Sequence, residues 1–124
     1  MRVNSVAHSF APGDDLIFQL ESGYGLLRVL AVEGQGLEAV WHLMAYEEFY
    51  PTVEAAEQAL TQPDSLTVRR AHMALTERAF ERTPAALLGN RALSERELAP
   101  YHQWLQSEQR DVSDRSALLM LGIR

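Results

Sequence analysis

The chain contains no cysteine and no lysine among its 124 residues. Without cysteine there is no disulfide, no thiolate nucleophile and no cysteine-based zinc site, so packing must hold the domain together. Without lysine, Schiff-base chemistry, a lysine general base and the phosphate-binding P-loop are excluded. All 11 cationic residues are arginines. That bias reads either as GC-rich coding or as the suitability of guanidinium for bidentate carboxylate recognition at interfaces. Positive charge is also scarce: the formal net charge is −6 and the pI about 5.1, so no non-specific nucleic-acid footprint is expected. Long apolar runs are missing too, and nothing approaches the roughly 20 residues needed to cross a bilayer. The opening MRVNSVAHSFAPGDD lacks the continuous apolar region of a secretory signal, and the expectation is a cytoplasmic chain.

What remains is ample material for one core. Hydrophobic residues make up 47% of the chain, and a chain of this length buries roughly two-thirds of its unfolded surface. One domain spanning residues 1–124 is expected. Pro12–Gly13 and Asp14–Asp15 form a turn signal. Leu16–Glu21 then alternates as a strand, with Leu16, Phe18 and Leu20 on one face. Ser22–Gly23 reads as a two-residue hairpin turn. Tyr24–Val32 is the return strand, apolar on both faces except at Arg28, which suits a central strand covered on both sides. Gly25 within it signals a bulge or the close approach of another element. After Gly34–Gln35–Gly36, the run Leu37–Tyr46 predicts a third strand and completes a meander.

Further along, Thr52 caps a predicted helix from Val53 to Leu60, and Leu66–Leu75 predicts another strand. The signal from Thr76 to Ala86 is mixed, and Pro84 bars any regular element from crossing it. Gly89–Asn90 reads as a turn. The run LSEREL carries the clearest local signal: Ser94 as N-cap, Glu97 completing a capping box, and Leu93 with Leu98 as a hydrophobic staple. Leu98, Tyr101, His102 and Leu105 then share a helix face reaching about Gln109, with Pro100 expected to kink it. The tail Arg115–Ile123 is too apolar to lie free, and a helix with Gly122 at its end is preferred over an edge strand. The fold class expected is α+β: an N-terminal antiparallel meander, as a small curved sheet or SH3-like barrel, with a helical C-terminal third.

No catalytic pattern stands out. Asp14–Asp15 and Glu47–Glu48 are adjacent carboxylate pairs, but neighbours on a strand point to opposite faces and cannot share a proton. Such pairs at strand ends are expected to be solvated. There is no GxSxG elbow, and GQG at Gly34 lacks the third glycine and following helix of a dinucleotide site. His42, His72 and His102 recur every 30 residues, but no repeat accompanies them and no metal-ligand spacing is present. Any convergence of histidines has to come from tertiary structure. No catalytic residue, metal or cofactor is assigned.

The aromatic and charged residues around the meander are the candidate binding surface: Tyr24, Arg28, Trp41, His42, Tyr46, Glu48 and Phe49. Aromatics on strands most often fill a core. The functional alternative is a groove between loops with an acidic rim from Glu47 and Glu48.

The stretch GDDLIFQLESGYGLLRVL resembles the opening of an immunity-protein family of bacterial polymorphic toxin systems. Gly13, Asp14, Tyr24, Gly25, Arg28 and Val29 carry the likeness, which covers residues 13–32. Leu26–Leu27 departs from the small or aromatic residues of that family before the arginine, and the C-terminal half, including LSERELAPYHQW, is not matched. The resemblance implies a stoichiometric, acidic, non-enzymatic protein. The leading expectation is therefore a protein-binding module with a basic partner, without nucleic-acid or membrane engagement. The alternative is a small-ligand-binding protein or enzyme with a site between the sheet and the helical part, using Arg28, His42 and Glu48. A homodimer through Ala117–Ile123 is a third.

Overall fold

The computed structural model describes residues 10–122. Ile123, the last residue of the apolar tail, lies outside them. The element order is β1 (Asp14–Leu20), β2 (Gly23–Glu33), β3 (Val40–Tyr46), α1 (Val53–Ala59), β4 (Val68–Thr76), α2 (Glu77–Glu81), β5 (Ala85–Asn90), α3 (Glu95–Gln106) and α4 (Ala117–Met120). The strands form one antiparallel five-stranded sheet in the order β4-β3-β2-β1-β5. The chain is thus α+β, with an open sheet rather than a barrel.

β2 lies at the centre of that order, as a strand apolar on both faces must. One face carries Leu16, Phe18, Leu27, Val29, Trp41, Leu43 and Leu75, covered by Ala79 and Phe80 of α2 and by Ala117 and Leu121 at α4. The other carries Ile17, Leu26, Leu30, Met44 and Tyr46, covered by Ala56 of α1 and by Leu98 and Tyr101 of α3. Helices on both faces, each closing its own core, remove the need to curl the sheet shut.

Several elements differ from expectation. Leu20 pairs with Gly23, so the hairpin turn is Glu21–Ser22, one residue earlier than expected. Leu37, 89% exposed, belongs to a 3-10 turn, and the third strand starts only at Val40. Gly89–Asn90 ends β5 instead of forming a turn, because Asp14 and Asp15 offer a free strand edge for it to pair with. α3 stops at Gln106 and runs unbroken through Pro100. Its covered side includes Tyr101 and Trp104, whereas His102 is exposed. The tail does form a helix, with Gly122 at φ +70° just beyond it. Ala117 and Leu121 of that tail are spent on the chain's own core. Gly25 is explained by a ring rather than a backbone: Phe18 lies across it, and a Cβ there would sit 2.4 Å from the Phe18 ring.

Candidate functional site

Two polar clusters sit on the sheet face beneath α3. The first is built around Arg28. Its guanidinium is fully buried and donates to Asp15 Oδ1 (3.3 Å), Glu97 Oε1 (3.2 Å) and the carbonyls of Gly13 (2.8 Å), Arg91 (3.2 Å) and Ala92 (3.1 Å), while its Nε donates to Glu97 Oε2. Arg91 closes the group, donating to both oxygens of Asp15 at 2.6 and 2.8 Å and to Tyr46 Oη at 3.3 Å. Burial pushes the Tyr46 phenol up against the pull of Arg91. For Glu97, burial works upward, but the bonds from Arg28 and Ser94 outweigh it and hold the carboxyl below its usual range.

Local sequence sets this cluster. Ser94 Oγ accepts from the Glu97 amide at 3.1 Å, and the Ser94 amide donates back to Glu97 Oε1 at 3.0 Å. The capping box therefore fixes the Glu97 carboxylate before Arg28 reaches it. Asp15 lies opposite Arg28 in the hairpin register. Gly13, at φ +90°, lets its carbonyl turn to Arg28; a Cβ there would sit 2.6 Å from the Arg91 carbonyl. Asp14 and Asp15, expected to be solvated, are 6% and 2% exposed. Each has its own partners: Asp14 accepts from the Ala11 amide (2.8 Å) and from Asn90 Nδ2 (2.8 Å). The two carboxylates have separate partners, and burial with those partners replaces solvation.

The second cluster is a chain of three side chains across neighbouring strands: Glu33 on β2, His42 on β3 and His72 on β4. His42 is fully buried; its Nε2 lies 2.7 Å from Glu33 Oε1 and its Nδ1 lies 2.9 Å from His72 Nε2. Tyr101 and Trp104 of α3 roof it, their ring centroids 4.5 and 4.7 Å from that of His42. Burial lowers the His42 pKa, with Glu33 pulling the other way. Burial also lowers that of His72, and His42 and Arg70 add to the effect, bringing it to about 4. Both rings are therefore neutral at pH 7. Among the described residues, no group of three metal-ligating side chains is assembled.

The candidate surface residues do not form one surface, although Arg28 and Tyr46 share the first cluster. Arg28, His42 and Tyr46 are buried on the α3 side of the sheet, and Trp41 is buried on the opposite side, stacked on Phe80 at 4.4 Å. Trp41 Nε1 donates to Glu77 Oε1 at 2.8 Å. The aromatic groove expected around Trp41 and Tyr46 is thus core. Tyr24 is half-buried and bridges to Tyr50 through paired backbone bonds. Glu48 and Phe49 lie on the loop after β3, Phe49 exposed and Glu48 accepting from the Thr67 amide. Slight burial opposes it, yet those bonds hold the Glu48 carboxyl below its usual range.

Sequence reasoning missed Asp15 and Glu97 as the partners of Arg28, and Glu33, His72 and Trp104 as neighbours of His42. A turn at Ser22–Gly23 would set Arg28 opposite Ile17; the observed turn sets it opposite Asp15. One residue of turn placement hid the pair. The histidine pair has no comparable local signal, because β3 and β4 are joined through α1. No protein-family model, no curated protein and no solved structure matches this chain, so any functional reading rests on the residues themselves.

Proposed function

We propose that the chain is an acidic, non-enzymatic protein-binding module that engages a basic partner, the kind of role the immunity-protein resemblance implies. One observation carries the reading. Between β3 and β4, residues Glu47 to Thr67 hold Glu47, Glu48, Glu54, Glu57 and Asp64 and no arginine, lysine or histidine. Glu47, Glu54, Glu57 and Asp64 are exposed, and the exposed Phe49 stands among them as an apolar anchor. The described arginines all lie outside this segment: Arg28 is buried and Arg91 half-buried, and the rest are exposed. Arg28 and Arg91 neutralise Asp15 and Glu97, while Arg69 and Arg70 donate to the carbonyls of Leu121 and Met120. The outward field of the α1 excursion is therefore one-signed, which steers a basic surface and speeds its capture.

The test is to purify the protein captured by the immobilised chain and titrate it back. A 1:1 complex is expected, with an association rate that falls with added salt and falls further in an E54R/E57R/D64R variant that keeps the wild-type circular dichroism. Absence of a stoichiometric partner, or binding indifferent to both salt and charge reversal, would sink the reading.

A further inference from the structure

A cavity of about 240 Å³ runs along the outer edge of β4, with Arg70, His72, Trp104, Asp111, Ser113 and Met120 in its walls. It lies away from the α1 excursion, and the inference from it stands independently of the binding role above. The walls are tied in place. Trp104 Nε1 donates to the Asp111 carbonyl at 3.0 Å. The Ser113 amide donates to the Ala74 carbonyl at 2.8 Å, and the Thr76 amide donates to the Ser113 carbonyl at 3.0 Å, so the segment around Ser113 docks on the edge of β4. Arg70 donates to the Met120 carbonyl at 3.3 Å.

The hydrogen bonds behind the cavity set its chemistry. A carboxylate only accepts, so Glu33 obliges His42 Nε2 to carry the proton. Neutral His42 then accepts at Nδ1, which obliges His72 Nε2 to donate. The one ring nitrogen His72 has left, Nδ1, is an acceptor, and among the described residues it has no partner. Nothing in the packing of the sheet calls for this chain: burying a histidine pair and a carboxylate bond costs desolvation that an apolar trio would avoid. The cavity thus offers one cation (Arg70), one anion (Asp111), one neutral acceptor (His72) and an apolar wall from Trp104, Met73 and Met120.

We propose that this cavity binds a zwitterionic small molecule of amino-acid size with an apolar or aromatic side chain. Its carboxylate meets Arg70, its ammonium meets Asp111 and His72 Nδ1, and its side chain lies on Trp104 and Met120. A purely anionic ligand would face Asp111, and a purely cationic one Arg70. The low basicity of His72 keeps Nδ1 unprotonated at neutral pH, as an ammonium donor requires.

The experiment titrates the full chain with L-phenylalanine, L-leucine and L-tryptophan, and with 3-phenylpropionate and phenethylamine, each of which lacks one of the two charges. Binding is followed by amide chemical shifts and by the 15N shift of His72 Nδ1. At least one of the amino acids is expected to give saturable shifts confined to β4, Trp104 and residues 111–113, with the His72 Nδ1 resonance moving as its lone pair is taken up. The single-charge analogues, R70Q and D111N should each weaken binding roughly tenfold or more, the scale of one lost charged hydrogen bond. The proposal is overturned if no amino acid saturates, if either single-charge analogue binds as well, or if H72L, which has no acceptor, binds with unchanged affinity. Should H72L fail to fold, an unmoved Nδ1 resonance in the wild-type protein on saturation overturns it equally.

Discussion

The Arg28 cluster and the His42 cluster lie under the same helix, yet they solve burial in opposite ways. The donors of the Arg28 guanidinium meet carboxylates and carbonyls, and the charges of Arg28, Arg91, Asp15 and Glu97 cancel within the group. Around His42 the rings stay neutral, and the hydrogen-bonded chain ends on a nitrogen without a partner among the described residues. The ionic group closes its charges within the protein. An open neutral chain can both respond to pH and present an acceptor.

The largest way to break that contrast is Arg28→Ala. It takes the cation from Glu97 and leaves the carbonyls of Gly13, Arg91 and Ala92 without their donor, while Asp15 keeps Arg91, and chemical denaturation should report a loss of about 3–5 kcal/mol. His42→Gln, which carries no charge and can keep a hydrogen bond, should cost much less.

Acid titration separates the clusters by window. The unfolded chain protonates its histidines near pH 6.5, whereas folded His72 does so only at about 4. Between those values the unfolded state holds more protons, so stability falls as pH falls and levels off below about 4. With solvent screening at a ring that is not fully enclosed, the loss is about 1–2 kcal/mol. The same melt on His72→Gln should flatten that limb. The Arg28 cluster behaves differently: Glu97, held below the usual carboxyl range, supplies stability that is present above that range and lost as pH falls through its folded value. A loss that starts only there, with no limb between 6.5 and about 4, would contradict the assignment of neutral buried rings.

The smallest effect sharpens the comparison. Ser94→Ala removes the cap that fixes Glu97 and should cost about 1 kcal/mol. In the Arg28→Ala background the cost should shrink measurably, because the cap then positions a carboxylate with no cation to meet. Additive losses would show that the capping box and the ionic cluster act separately.

How much of this was legible varies with sequence distance. The capping box lies within four residues, and it was read correctly down to its staple of Leu93 and Leu98, both of which pack in the α3-side core. The central position of β2 was legible because two apolar faces have one solution in a sheet. The partner of Arg28 was one turn residue away from being read. β5 was hidden: AALLGN shows no alternation and becomes a strand only because β1 has an edge to pair with. Trp41 and Tyr46 were legible as aromatics on one strand, and their odd spacing sets them on opposite faces of the sheet.

By itself, the sequence determined the α+β class, the first hairpin apart from its turn, the caps of α1 and α3, the absence of thiol and lysine chemistry, and a lone arginine on an otherwise apolar strand, which needs company. These follow from periodicity and from contacts between near neighbours. Only the tertiary structure decided that Asp15 and Glu97 supply that company, that His42 and His72 meet across β3 and β4, and that Glu33 polarises them. Those contacts run between neighbouring strands or from strand to helix, and their geometry is set by strand register and helix docking, which local periodicity does not encode.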